Sequence, residues 1–115
     1  MVALPGFVPN PLAYMAKADI LALSSRVEGM PTVIVEALAC GIPIVATDCP
    51  HGPAELLGDG ACGRLVTVGD AGAFADALAA TLAEPRRGVR RRPRCRPLRA
   101  ADPGLRRGKR RGVDF

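Results

Sequence analysis

The chain has 115 residues, 49% of them hydrophobic and 23% charged, with a formal net charge of +5. That charge averages two unlike parts: residues 1–85 hold three cations (Lys17, Arg26, Arg64) against nine acids, while residues 86–115 hold thirteen cations against Asp102 and Asp114. The isoelectric point near 9.6 therefore reflects only the last quarter of the chain, and it gives no reason to read the acidic first part as a binder of nucleic acid or membrane surfaces.

In chain order, Pro9-Asn10-Pro11 is a turn with a good N-cap in Asn10, which predicts a short helix over the helix formers Leu12 to Ala18. Ile20-Leu21-Ala22-Leu23 is apolar without polar alternation, the pattern of a strand covered on both faces in a parallel sheet. Ser24 to Gly29 is then the loop at that strand's C-terminal end. Pro31 suits the first turn of a second helix, where its missing N–H costs nothing, and the run Thr32 to Ala39 stops at Gly41. Ile42 to Thr47 predicts a second parallel strand, closed by the turn from Asp48 to Pro53. Ala54 to Leu57 is long enough for one helical turn, and Arg64-Leu65-Val66 is a third short strand. Gly69-Asp70 caps a helix from Ala71 to Ala83, with Phe74, Leu78 and Leu82 spaced four apart on one face, and Pro85 ends it.

Strands alternating with helices give an α/β chain with a parallel sheet. After Pro85 the Arg-, Pro- and Gly-rich composition predicts disorder. No apolar run approaches the roughly 20 residues of a membrane span, and Met1 to Pro9 lacks the form of a secretory signal, so a soluble, cytoplasmic protein is expected. Cys40, Cys49, Cys62 and Cys95 form no C-x-x-C pair, and with one histidine they read as buried, reduced thiols. A folded part of this size buries about 60–65% of its surface, which is thin for an enzyme that must also build a cleft.

The stretch from Ser24 to Glu36 carries the chemistry. Glu28 sits in the loop at a strand's C-terminal end, Gly29 and Pro31 shape the start of a helix, and Glu36 lies more than a turn into that helix. Ligands of open parallel sheets bind outside the carboxyl ends of the strands. The first-turn amides around Thr32 and Val33 can receive a phosphate, whereas carboxylates repel one and instead accept hydrogen bonds from hydroxyls. A diphosphate between two hydroxyl-rich groups, as in a nucleotide sugar, fits both features. Spacing alone also leaves Glu28 readable as a loop acid and Glu36 as a solvated helix residue. His51 and Asp48, in the turn after the second strand, belong by topology to the same end of the sheet; a general-base role for His51 requires geometry.

From Leu4-Pro5-Gly6-Phe7 to Ala83 the chain resembles the C-terminal, donor-binding domain of retaining GT-B glycosyltransferases of the glycogen-synthase-like and mannosyltransferase-like group. Glu28 and Glu36, with seven residues between them, match that group's E-x7-E signature, and the block from Glu28 to Asp48 is similar to its hallmark almost throughout. The resemblance implies a partial Rossmann-like sheet with flanking helices, half of a GT-B C-terminal domain, over residues 1–85, followed by an Arg-rich tail over 86–115. It implies that Glu28, with the amides of Gly29 and Met30, contacts the donor sugar. It implies further that Thr32 and Val33 receive the diphosphate, that Glu36 holds the ribose hydroxyls, and that Gly6, Phe7 and Val8 begin the base-contacting loop. The chemistry implied is hexose transfer from a UDP- or GDP-sugar with retained anomeric configuration, by a front-face displacement in which the leaving diphosphate helps deprotonate the acceptor. No catalytic side chain, metal or cofactor is assigned by it.

Two family features are expected to be missing: the N-terminal domain that binds the acceptor, and an Arg and Lys pair early in the C-terminal domain, since the first cation here is Lys17. The isolated chain is therefore expected to be an inactive fragment. The segment from Arg86 on resembles nothing in the family and reads as a GC-rich gene translated out of frame or truncated. The competing reading is a non-enzymatic module whose polybasic tail binds nucleic acid or anionic lipid by counterion release, without a stacking aromatic before Phe115.

Overall fold

The computed structural model describes residues 1–85. Its elements run α1 (Pro11–Met15), β1 (Leu21–Leu23), α2 (Thr32–Cys40), β2 (Ile44–Thr47), α3 (Pro53–Leu56), β3 (Arg64–Val66) and α4 (Ala71–Ala83). The α/β class with a parallel sheet is what the alternation predicted. The disorder and the anionic partners considered for residues 86–115, with Cys95 among them, lie outside the described residues.

Local chemistry accounts for most boundaries. The Asn10 side chain accepts from the Ala13 N–H at 3.2 Å and so starts α1. The helix is shorter than predicted because the amides of Lys17 and Ala18 turn to the carbonyls three residues back, on Tyr14 and Met15. Pro31 is the N-cap of α2 rather than a residue of its first turn, while its carbonyl accepts from the Ile34 N–H at 3.0 Å. Gly41 ends α2 in the left-handed conformation at φ 71, which a side chain disfavours. Pro43 lacks an N–H and stands just outside β2, yet its carbonyl still accepts from the Leu21 N–H at 2.9 Å.

The three strands are parallel in the order β1-β2-β3, with Leu21, Ala22 and Leu23 opposite Ile44, Val45 and Ala46. Val45, Ala46 and Thr47 lie in turn opposite Arg64, Leu65 and Val66. Every residue of β2 is buried, as a central strand covered on both faces requires. On one face Ile44 and Ala46 join Ile34 and Ala37 of α2, Ile42 and Leu57 in a single apolar cluster. Val45, pointing the other way, is 0% exposed, and α4, which contributes nothing to that cluster, packs against β2 and β3.

Three further expectations need correction. The strand β1 is at the edge and Ala22 is exposed, so it is not covered on both faces. Leu82 is 57% exposed; eight residues beyond Phe74 a helix has rotated about 80° past the stripe, and the buried position is Thr81, at seven. Cys40 and Cys49 are free thiols, Cys40 half-buried rather than buried, but Cys62, half-buried in the turn ahead of β3, is disulfide-bonded and not a reduced thiol.

Candidate functional site

Because the strands are parallel, the loop after β1 and the turn after β2 emerge at the same end of the sheet. Thr47, the last residue of β2 and 5% exposed, ties them together. Its hydroxyl donates to the Ser25 carbonyl at 2.5 Å, with the Leu23 carbonyl farther off at 3.4 Å. The Ser25 hydroxyl in turn donates to Glu28 Oε1, so the half-buried Glu28 carboxylate is held by the loop it stands on.

The turn after β2 also touches the start of α2. Gly52 adopts φ 131, and a Cβ there would lie 2.5 Å from Pro31 Cδ and 3.6 Å from the Gly29 carbonyl oxygen. Only a residue without a side chain lets the turn come this close to the Pro31 ring. His51, at φ 63, is the preceding residue; it and Asp48 are exposed, and the Asp48 N–H is spent on the Val66 carbonyl at 2.8 Å.

The N-terminus of α2 opens at this end of the sheet, and no side chain caps it. The N–H groups of Thr32 and Val33 have no partner within the helix, and they sit at the positive end of its dipole. Thr32 is exposed and Val33 half-buried. Glu36 follows Thr32 by four residues and Val33 by three, so it shares their flank of the helix, and helical side chains lean toward the N-terminus. Ile34 and Ala37 turn inward to the core, which leaves Glu36 half-buried at its margin.

Of the residues singled out from sequence, Glu28, Gly29, Met30, Thr32, Val33 and Glu36 therefore occupy one loop and the adjoining helix end. Gly29 and Met30 are exposed, Met30 to 70%. Gly6, Phe7 and Val8 are on the irregular segment ahead of α1, where Phe7 is 94% exposed and Val8 is half-buried. Ser25 and Thr47 were not anticipated as members of the site. The sequence signal available for Ser25 is its place three residues before Glu28.

A comparison with protein families matches the description "Glycosyl transferases group 1" over residues 1–84. The chain belongs to this family. The matched residues take in β1, the Glu28 loop, α2, the Gly52 turn and α4, hence the whole of the candidate site.

Among curated relatives in this glycosyltransferase family, the chain is 46% identical over 67 residues to the N-acetylgalactosamine-N,N'-diacetylbacillosaminyl-diphospho-undecaprenol 4-alpha-N-acetylgalactosaminyltransferase of Campylobacter jejuni, covering 58% of this chain and 18% of that protein. It is 39% identical over 62 residues to the lipopolysaccharide 1,6-galactosyltransferase of Escherichia coli, covering 54% and 17%. It is also 39% identical over 82 residues to a GDP-mannose-dependent alpha-(1-6)-phosphatidylinositol monomannoside mannosyltransferase of Mycolicibacterium smegmatis, covering 65% and 21%. The aligned part is thus about a fifth of the length of these relatives. Among the described residues, no helix is long and apolar enough to cross a membrane.

Proposed function

We propose that residues 1–85 are the donor-binding part of a retaining GT-B glycosyltransferase, which takes a hexose from a nucleotide sugar such as a UDP- or GDP-hexose. The observation that carries this reading is the uncapped N-terminus of α2 at the C-terminal end of a parallel sheet, with a carboxylate before it and another on its flank. Amides and dipole suit a diphosphate there; the carboxylates suit the hydroxyl-bearing groups on either side of it.

In this reading Thr32 and Val33 donate to the diphosphate. Glu28 accepts from hydroxyls of the sugar beside the amides of Gly29 and Met30, Glu36 accepts from the ribose, and Gly6 to Val8 approach the base. The E-x7-E pair thus grips the ligand at both ends and supplies no nucleophile. Front-face displacement then breaks the bond from the anomeric carbon to the diphosphate oxygen and forms the bond to the acceptor oxygen on the same face. The departing diphosphate takes the acceptor's proton, and no metal is called for. Names of relatives that transfer N-acetylgalactosamine, galactose or mannose support the reading at the level of glycosyl transfer and leave the sugar open. The acceptor and the groups that bind it are no part of this reading of residues 1–85.

Heteronuclear NMR titration of the chain with UDP, GDP and their sugars is expected to move the amides of Gly29 to Val33. A folded sample in which these amides stay put at millimolar ligand would overturn the reading.

A further inference from the structure

We propose that Thr47 and Ser25 are positioning residues that hold the Glu28 carboxylate in the orientation in which it accepts hydroxyls of the donor sugar; this rests on the donor-binding reading above. A threonine hydroxyl has one proton to give. Of its two neighbouring carbonyls, Ser25 stands at 2.5 Å and Leu23 at 3.4 Å, so the proton goes to Ser25. Thr47 is 5% exposed and pinned in the sheet by its pairing with Val66. It therefore anchors the loop backbone to the most rigid element available, with little competition from water.

The second bond continues the chain of contacts. The Ser25 hydroxyl donates to Glu28 Oε1, which takes up one carboxylate oxygen and leaves Oε2 for a hydroxyl of the ligand. Past Glu28 the loop meets the Gly52 turn at Gly29 and Pro31, and Gly29 itself has no atom within 4 Å of where its Cβ would be. Without the two hydroxyls, the loop regains conformations that binding must then remove, and affinity falls by that entropy.

The test uses the full 115-residue chain and the variants Thr47→Val, Thr47→Ser, Ser25→Ala and Ser25→Thr, with UDP, GDP, UDP-glucose and GDP-mannose as probes. The quantity read is the affinity for nucleotide sugar relative to the bare nucleoside diphosphate. Thr47→Val and Ser25→Ala are expected to lower that ratio about fivefold, while the hydroxyl-keeping Thr47→Ser and Ser25→Thr hold it within about twofold. A purely structural role weakens sugar-bearing and bare nucleotides alike, and that result overturns the proposal, as does an unchanged ratio in the hydroxyl-deleting variants.

If the unaltered chain binds none of the probes, the donor-site reading itself fails. The hold on Glu28 is then decided by amide order parameters of Val27, Glu28 and Gly29: a drop in Thr47→Val but not in Thr47→Ser upholds it, and no drop refutes it. Should Thr47→Val not fold, Ser25→Ala, at a half-buried loop position, answers both questions.

Discussion

At Gly52 two separate demands fall on one residue. Its φ of 131 is disfavoured for any side chain, and a methyl group there would stand 2.5 Å from Pro31 Cδ, whose residue is itself buried. Gly41 carries only the first demand: φ is 71, but the space around it is open. Gly41→Ala should thus cost about 1–2 kcal/mol, and Gly52→Ala about 1–3 kcal/mol, together with a shifted Pro31 and a displaced start of α2. Thermal denaturation of the two variants separates the cases; equal losses would mean that the contact with Pro31 contributes nothing. The carboxylates differ in the same residue-by-residue way. Glu36→Gln is expected to weaken bare nucleotide and nucleotide sugar alike, by about tenfold, whereas Glu28→Gln weakens only the sugar-bearing ligand by that amount. Calorimetric titration of both variants would expose a reversed pattern at once, and with it an error in which end of the ligand each carboxylate meets.

At the scale of elements, α4 tests how far packing follows pattern. Asp70 accepts from the Ala73 N–H at 2.8 Å and caps the helix, so Asp70→Ala should cost about 1 kcal/mol. Leu82→Ala, at a 57% exposed position, should fall within about 0.5 kcal/mol of the parent, whereas Leu78→Ala at a half-buried one costs about 1 kcal/mol or more. Chemical denaturation gives the order directly. Apolar spacing four apart identified α4 and its caps, because helix period and capping are local properties of the chain. It misplaced Leu82, because which side of a helix is covered depends on what packs there. The same distinction explains β1: its apolar run marked a strand, but whether Ala22 is covered is decided by its place at the sheet edge. The loop and helix of the candidate site were legible because Glu28, Pro31 and Glu36 are neighbours in sequence. The hydroxyl of Thr47 was not, because it reaches Ser25 across 22 residues, and only the register of β1 on β2 brings the two together.

For the whole molecule, the distribution of charge bears on catalysis. Residues 1–85 contain three cations, and the parallel sheet sorts them by position. Arg64 begins β3, so it stands at the strand's N-terminal end, away from the site, and its guanidinium is paired with Glu84. Lys17 precedes β1 and belongs to the same far end. Arg26, in the Ser24–Met30 loop, is the one cation of residues 1–85 at the end where α2 opens. From residues 1–85 a departing nucleoside diphosphate would therefore meet one guanidinium and the amides of a nine-residue helix, little stabilisation for the charge that develops as the glycosidic bond breaks. The chain is accordingly expected to bind nucleotide sugars without turning them over. Release of UDP or GDP from UDP-glucose or GDP-mannose, followed with sugar acceptors present, should not exceed that in buffer. The assay needs both low and high ionic strength, because the thirteen cations of residues 86–115 attract phosphates in a salt-dependent way, whereas amides at a helix end lose less. Release that persists in high salt and vanishes in Glu28→Gln would show that the helix end and Arg26 suffice for chemistry, and that the cations of residues 1–85 do not limit it.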